Sequence, residues 1–212
     1  MMIYRDRKHA GEMLASALSG HGGKDTIVLG LPRGGVPVAC EVARALKAPL
    51  DVFVVRKLGL PWQPELAMGA IATGGVLVRN DDVLRTLLDP ETVLENVRRA
   101  EQKVLEERER RYRGGRPAPE LAGRKVIVVD DGLATGASMK AAVQALRKVG
   151  AGKVVVAVPV GPPDTCEELR QLADDVVCLQ APRMFSAVGQ WYDDFGQTTD
   201  EEVTRILAAT AG

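Results

Sequence analysis

The stretch Val126-Ile-Val-Val-Asp-Asp-Gly-Leu-Ala-Thr-Gly-Ala-Ser138 decides how the rest of the chain is read. Four β-branched residues in a row suit a strand buried on both faces, as in a parallel sheet covered by helices. Two carboxylates end the apolar run, and a turn of mostly small residues leads into a helical pattern from Ala137 to Val149. Residues Ala134, Thr135, Gly136, Ala137 and Ser138 are small enough for successive N–H groups to point at one anion. The helix beginning there adds its positive dipole end, and Thr135 and Ser138 supply hydroxyl donors. Asp130 and Asp131 would repel a phosphate, yet they are good acceptors for two vicinal sugar hydroxyls and can hold Mg²⁺ directly or through water. Phosphate on one side and diol on the other describe a ribose 5-phosphate.

Outward from this stretch, short β-branched runs alternate with longer amphipathic ones. Thr26–Gly30, Asp51–Val55, Lys125–Asp130, Lys153–Val158 and Asp175–Leu179 read as strands, and Asp6–Ser19, Gly35–Leu46, Ala137–Val149 and Asp164–Leu172 as helices. The pattern predicts an α/β fold with a central, mainly parallel sheet flanked by helices. Ligands in such sheets sit beyond the carboxyl ends of the strands, so the loops after Gly30, Val55, Asp130 and Val158 are the informative ones. The first holds Leu31-Pro-Arg-Gly-Gly35, where Gly34 and Gly35 allow close backbone approach to a ligand and Arg33 brings a fixed positive charge. The second holds Arg56 and Lys57, adjacent cations that read equally well as a ligand contact or as solvated surface charge.

Two segments depart from the alternation. Residues 81–116 are dense in charge with a stripe of leucines and valines, and Pro90 starts a second helix after Asp89, which together predict a helical insertion within a single domain spanning residues 1–212. Arg98 to Arg116 holds eight basic and four acidic residues, and a solvated helix face with pairs such as Glu107–Arg111 is favoured over a nucleic-acid site. Near the other end, Pro182 to Phe195 gathers aromatics in a chain only 4% aromatic. That cluster could stack a flat base, with Asp193 or Asp194 on its polar edge, or equally seal the end of the sheet or form a dimer contact.

Composition narrows the class. With 28 Lys+Arg against 28 Asp+Glu, the chain does not work through a bulk positive field, and nucleic acid is not an expected partner. Cys40, Cys166 and Cys178 are scattered, and the two histidines, His9 and His21, sit near the start, so neither a zinc site nor a disulfide framework is expected. The opening MMIYRDRKHAGEM lacks the apolar run of a secretory signal, and no stretch is long and apolar enough to span a bilayer, which predicts a cytoplasmic protein without membrane contact.

The thirteen residues from Val126 to Ser138 resemble the binding motif for 5-phosphoribosyl 1-pyrophosphate (PRPP) of type I phosphoribosyltransferases: four hydrophobic residues, two acids, then a turn containing Thr-Gly and ending in Thr or Ser. The resemblance implies the type I phosphoribosyltransferase-like fold, with a helical insertion at 81–116 and a small hood at 180–198. It implies a Mg²⁺-dependent transfer of the phosphoribosyl group to a nitrogenous base with release of pyrophosphate, in nucleotide salvage, by a homodimer. Asp130 and Asp131 would then hold the ribose hydroxyls and the metal, and Ala134 to Ser138 the 5-phosphate. Arg33, Gly34 and Gly35 look like the family's pyrophosphate loop, and Arg56-Lys57 like a pair found in adenine phosphoribosyltransferases. Arg33, Lys57 and Asp131 become the catalytic candidates, and Trp191 and Tyr192 the candidates for stacking the base. Gly59 to Pro64, with Glu65, is the candidate remnant of the family's lid. Ala134 stands where 6-oxopurine enzymes usually carry an acid, which disfavours hypoxanthine and guanine. The competing expectation is a non-catalytic sensor of PRPP or nucleotide on the same fold.

Overall fold

The computed structural model describes residues 2–210. Along the chain run α1 (Arg7–Ala17), β1 (Thr26–Gly30), α2 (Gly35–Leu46), β2 (Leu50–Val52), β3 (Val55–Leu60), β4 (Gln63–Ala72) and β5 (Val76–Arg79). There follow α3 (Asp81–Leu84), α4 (Pro90–Arg113), β6 (Lys125–Val129), α5 (Ala137–Lys148), β7 (Lys153–Val160), α6 (Pro163–Arg170), β8 (Asp175–Gln180) and α7 (Asp200–Thr210).

Strands β2, β1, β6, β7 and β8 lie side by side in that order, all parallel. Their Val and Ile runs are buried on both faces. On one side Ile127, Val129 and Val155 meet Leu14 and Leu18 of α1 and Val38 and Val42 of α2. On the other, Val126, Val128 and Val156 meet Met139, Ala142 and Leu146 of α5 and Leu169 of α6. The chain steps one way from β1 to β2 and the other way from β6 onward. The strand order therefore reverses between β1 and β6, and a crevice opens beyond their carboxyl ends. Two of the four loops singled out from the sequence, 31–35 and 130–137, follow β1 and β6 and so emerge at that crevice.

The run Asp51–Val55, expected as one strand, divides between two sheets. Phe53 N donates to Gly30 O at 3.0 Å as the last bond to β1. Val54 N then donates to Thr73 Oγ1 at 2.8 Å, and Thr73 N to Val54 O at 2.9 Å. From Val55 the chain belongs to a separate antiparallel sheet of β3, β4 and β5. A continuous apolar run carries no mark of which neighbour will satisfy its backbone. One face of this second sheet presents Val55, Ala72, Val76 and Val78 to the core beside α5. The other packs Leu58, Leu60, Met68 and Ile71 against Leu94, Leu105 and Tyr112 of α4 and Val203 and Leu207 of α7. Residues 61 and 62 form the tip of the β3–β4 hairpin, with Trp62 exposed.

The segment read as an insertion is built of α3 and α4. Asp89 accepts from Thr92 N, Pro90 occupies the first turn of α4, and Gly114 at φ 59° ends it. Its basic residues are mostly consumed inside the protein. Arg98 and Arg99 donate to Glu95, whose carboxyl they pull down to about 2. Arg111 donates to Asp200 and Glu201 at the start of α7. Arg113 is buried, and its guanidinium donates to Asp51, Val52 O and Glu109, each at 3.0 Å. Among the described residues no helix is long and apolar enough to cross a membrane.

Candidate functional site

The turn between β6 and α5 is held from below and left open above. Leu133 N donates to Val160 O at 2.9 Å, and Thr165 of α6 donates to Ala134 O at 3.4 Å. Gly136 sits at φ 70°, a conformation L side chains rarely adopt, and a Cβ there would collide with Thr165 Cγ2 at 2.5 Å. Ala134, Thr135, Ala137 and Ser138 are exposed around a concavity of about 200 Å³, with Val188 of the 180–198 segment on its far wall. The first N–H groups of α5 have no intrahelical partner and line this concavity, which is the geometry of an anion cradle.

Beside it, Asp131 N donates to Asp130 Oδ1 at 2.9 Å. Burial pushes the Asp130 carboxyl well up from the ordinary aspartate value, and the charge of Asp131 adds to this. Asp131 is raised too, by burial, against the opposing pull of Arg7. Burial and the Asp131 charge thus oppose ionisation of Asp130, a state a diol donor or a cation would relieve.

The loop after β1 closes the other wall. Leu31 N donates to Val129 O at 2.9 Å, and the Pro32–Arg33 peptide is cis. A Cβ on Gly34 would fall on the Asp131 carboxylate, and one on Gly35 would lie 2.6 Å from Val129 O. The two glycines are therefore what lets the two loops approach. Arg33 has no ion-pair partner among the described residues. It lies near Tyr112 of α4, whose phenol is pushed up to about 12, first by burial and then by Asp200; Arg108 and Arg33 pull the other way.

Two pairs of expected site residues require correction. Arg56 and Lys57 lie within strand β3, not in a loop, and strand alternation sends them to opposite faces. Arg56 turns to α4, where its Nε donates to Glu101 at 2.7 Å. Lys57 pairs with Glu65 at 3.1 Å and lines a cavity of about 450 Å³ shared with Ala137 and Ser138 at the start of α5. Lys57 therefore stays beside the anion cradle and Arg56 does not.

Trp191 and Tyr192, expected to offer a stacking face, are only 5% and 6% exposed. They are packed with Tyr4 and Val160 as a plug over the end of β7, and Trp191 stacks on Phe185. Apolar surface of that size is better buried than held ready in water. Tyr192 still serves the crevice, because its hydroxyl donates to Asp131 O at 2.6 Å; burial, then the nearby Asp131 charge, raise its phenol. The exposed aromatic of this segment is Phe195, while Phe185 is half-buried.

Sequence reasoning missed Arg7. Its Nε donates to Asp131 Oδ2 at 2.8 Å, its Nη1 to Gly196 O at 2.6 Å, and its guanidinium lies 4.1 Å from the centre of the Phe195 ring. A lone Arg in the first turn of an N-terminal helix carries no local signal of this; Asp6 before it marks only the helix cap. Thr165 was missed for the same reason. Among the described residues no group of three or more His, Cys, Asp or Glu side chains comes together that could hold a metal unaided.

Residues 3–195 match the phosphoribosyl transferase domain family. A Mycobacterium tuberculosis H37Rv protein, provisionally named a phosphoribosyl transferase, is 54% identical over 208 residues, which are 98% of this chain and 47% of that protein. The chain spans about half the length of the curated relatives it matches. The crystal structure of TT1426 from Thermus thermophilus is 49% identical, covers the whole of both chains and superposes with a TM-score of 0.89. A purine phosphoribosyltransferase from Pyrococcus horikoshii Ot3 shares the fold at 16% identity, with 91% of this chain and 92% of that one covered and a TM-score of 0.50.

Proposed function

We propose, from the premise that this chain belongs to the phosphoribosyl transferase family, that it transfers the 5-phosphoribosyl group of PRPP to a nitrogenous base and releases pyrophosphate. The observation that carries the reading is the meeting of two loops at one crevice. The paired acids after β6 lie against Gly34 and Gly35 of the loop after β1, which also carries the unpaired Arg33, and the anion cradle follows them in the same turn. In this reading Ala134 to Ser138 hold the 5-phosphate, Asp130 and Asp131 accept from the ribose hydroxyls, and Arg33 with the backbone of Gly34 and Gly35 takes the pyrophosphate.

The reaction breaks the bond from C1 of the ribose to the pyrophosphate oxygen and forms one from C1 to the base nitrogen. Its transition state resembles an oxocarbenium ion, so the protein's part is to position the sugar and to neutralise the leaving group. In this reading Arg33 carries most of that charge in the protein, with Lys57 beside the cradle. No covalent nucleophile is needed.

The donor set fits Mg²⁺ in a limited way. Asp130 and Asp131 are two hard oxygen donors without a third, which suits an ion that keeps water and takes its other ligands from substrate phosphates. Mg²⁺ held there would supply charge neutralisation at the pyrophosphate.

The second reading, a non-catalytic PRPP sensor, draws on Arg56, whose pairing with Glu101 removes one cation expected at the leaving group. Pyrophosphate release from PRPP and Mg²⁺ in the presence of a panel of bases separates the two. Turnover with one base is expected; PRPP binding without turnover on any base would replace the transferase by the sensor.

A further inference from the structure

We propose that Arg7 is a positioning residue for the ribose hydroxyls: it holds the Asp131 carboxylate at one place in the crevice and ties the 180–198 segment to it. This inference rests on the reading of Asp130 and Asp131 as the diol acceptors. Arg7 and Asp131 lie 124 residues apart in the chain, and both side chains are only 13% exposed.

Asp131 is fixed from three directions. Arg7 Nε of α1 donates to its Oδ2, the Tyr192 hydroxyl donates to its main-chain carbonyl, and Gly34 of the loop after β1 leaves the space its carboxylate fills. Among the described residues the side-chain donor to the Asp131 carboxylate is Arg7 Nε, which engages Oδ2 and not Oδ1. A vicinal diol presents two O–H donors at a set spacing, so its recognition depends on how well two acceptors are held in place, here Asp131 and its neighbour Asp130.

Arginine suits the task because its planar fork reaches two acceptors at once while its face rests on an aromatic ring. Arg7 does all three: Asp131 with Nε, the Gly196 carbonyl with Nη1, and the Phe195 ring beneath. One side chain thus joins the position of the diol acid to Phe195 and Gly196 at the end of the 180–198 segment. Lysine would keep the charge and lose the fork.

The test is calorimetric binding of ribose 5-phosphate, 2-deoxyribose 5-phosphate and inorganic phosphate to the full chain and to Arg7→Met and Arg7→Lys. The wild type is expected to prefer ribose 5-phosphate over the 2-deoxy sugar by about tenfold, the worth of one hydrogen bond to a charged acceptor. In Arg7→Met the ratio should fall to about one to two, and in Arg7→Lys to about three, with the affinity for inorganic phosphate unchanged in both. That last readout separates positioning of the diol acid from general damage to the crevice. A ratio still near tenfold in either variant, or a loss of phosphate affinity as large as the loss for ribose 5-phosphate, would overturn the proposal. A wild-type ratio of one would instead overturn the diol reading itself, and Arg7's part with it.

Discussion

Charged side chains crowd two parts of this molecule, the crevice beyond β1 and β6 and the helix α4, and the protein treats them in opposite ways. On α4 four cations meet an acid: Arg98 and Arg99 meet Glu95, Arg111 meets Asp200, and Arg113 meets Asp51 and Glu109. In the crevice, two acids sit side by side with one cation between them and the 180–198 segment, and Arg33 has no partner among the described residues. Satisfied charges hold elements together; unsatisfied charges held in place by packing are the ones available to a ligand. A net positive stretch such as Arg98–Arg116 is therefore a poor guide to function by itself. Two of its cations fasten α4 to β2 and α7, two more are paired within α4, and Glu101 in the same stretch takes Arg56 of β3.

The sharpest way to break this contrast is to neutralise the motif acids. Asp130→Asn with Asp131→Asn is expected to lower PRPP affinity about a thousandfold or more by calorimetry. Relief of the repulsion between the acids is set against loss of the Arg7–Asp131 ion pair, so the ligand-free protein should melt within about 2–4 °C of wild type. Retained PRPP affinity would remove the crevice as the sugar site, and a collapse in melting temperature would make the acids structural after all.

On α4 the converse should hold. Arg113→Met leaves Asp51 and Glu109 without their counter-charge in a buried place and is expected to cost about 3 kcal/mol by chemical denaturation. PRPP affinity should stay within about twofold. If stability is unaffected, the claim that α4 spends its charge on structure loses its main support.

Gly35→Ala probes the contact between the two crevice loops. The added methyl meets Val129 O and the Asp130 backbone, neither of which can swing aside, so a cost of about 2 kcal/mol and weaker PRPP binding are expected together. A variant that melts and binds like wild type would show that the loops do not rest on each other.

The smallest effect sharpens the comparison at the opposite end of the sheet. Asp175 at the start of β8 accepts from His21 at 2.9 Å, and that bond, against some burial, holds its carboxyl below the ordinary value; Lys153 adds a favourable charge. A lowered carboxyl contributes stability above about pH 4 that is lost as pH falls through the lowered value. Asp175→Asn should therefore destabilise at pH 7 by about 0.5 kcal/mol or less, since the side chain is partly exposed, and by nothing at about pH 2. Urea denaturation at the two pH values checks this; an equal loss at both would rule out the ionic contribution.

Much of the fold was legible because its signals are local. Strand β1 and helix α2 fall on the residues expected, Thr26–Gly30 and Gly35–Leu46. Strand β6, the turn and α5 follow the order that Val126 to Ser138 implies, since β-branched runs, small-residue turns and helical spacing act over a few residues each. The break after Val52 was not legible, because Phe53 and Val54 are as apolar as a continuing strand and only Gly30 and Thr73 divide them. Trp191 and Tyr192 were legible as a cluster but not as a plug, since burial depends on Tyr4 and Val160, far away in the chain.

The sequence alone thus determined that a pair of acids and a small-residue turn opening a helix follow a buried parallel strand, and that a glycine loop with Arg33 follows another. Only the tertiary structure decided which charges those loops keep. Arg56 is taken by Glu101, Lys57 remains beside Ser138, and Arg7 arrives from the first helix to hold Asp131. The reason is physical: backbone conformation is set by neighbours along the chain, whereas an ion pair is set by neighbours in space, and a residue's type carries no record of which partner the fold will bring to it.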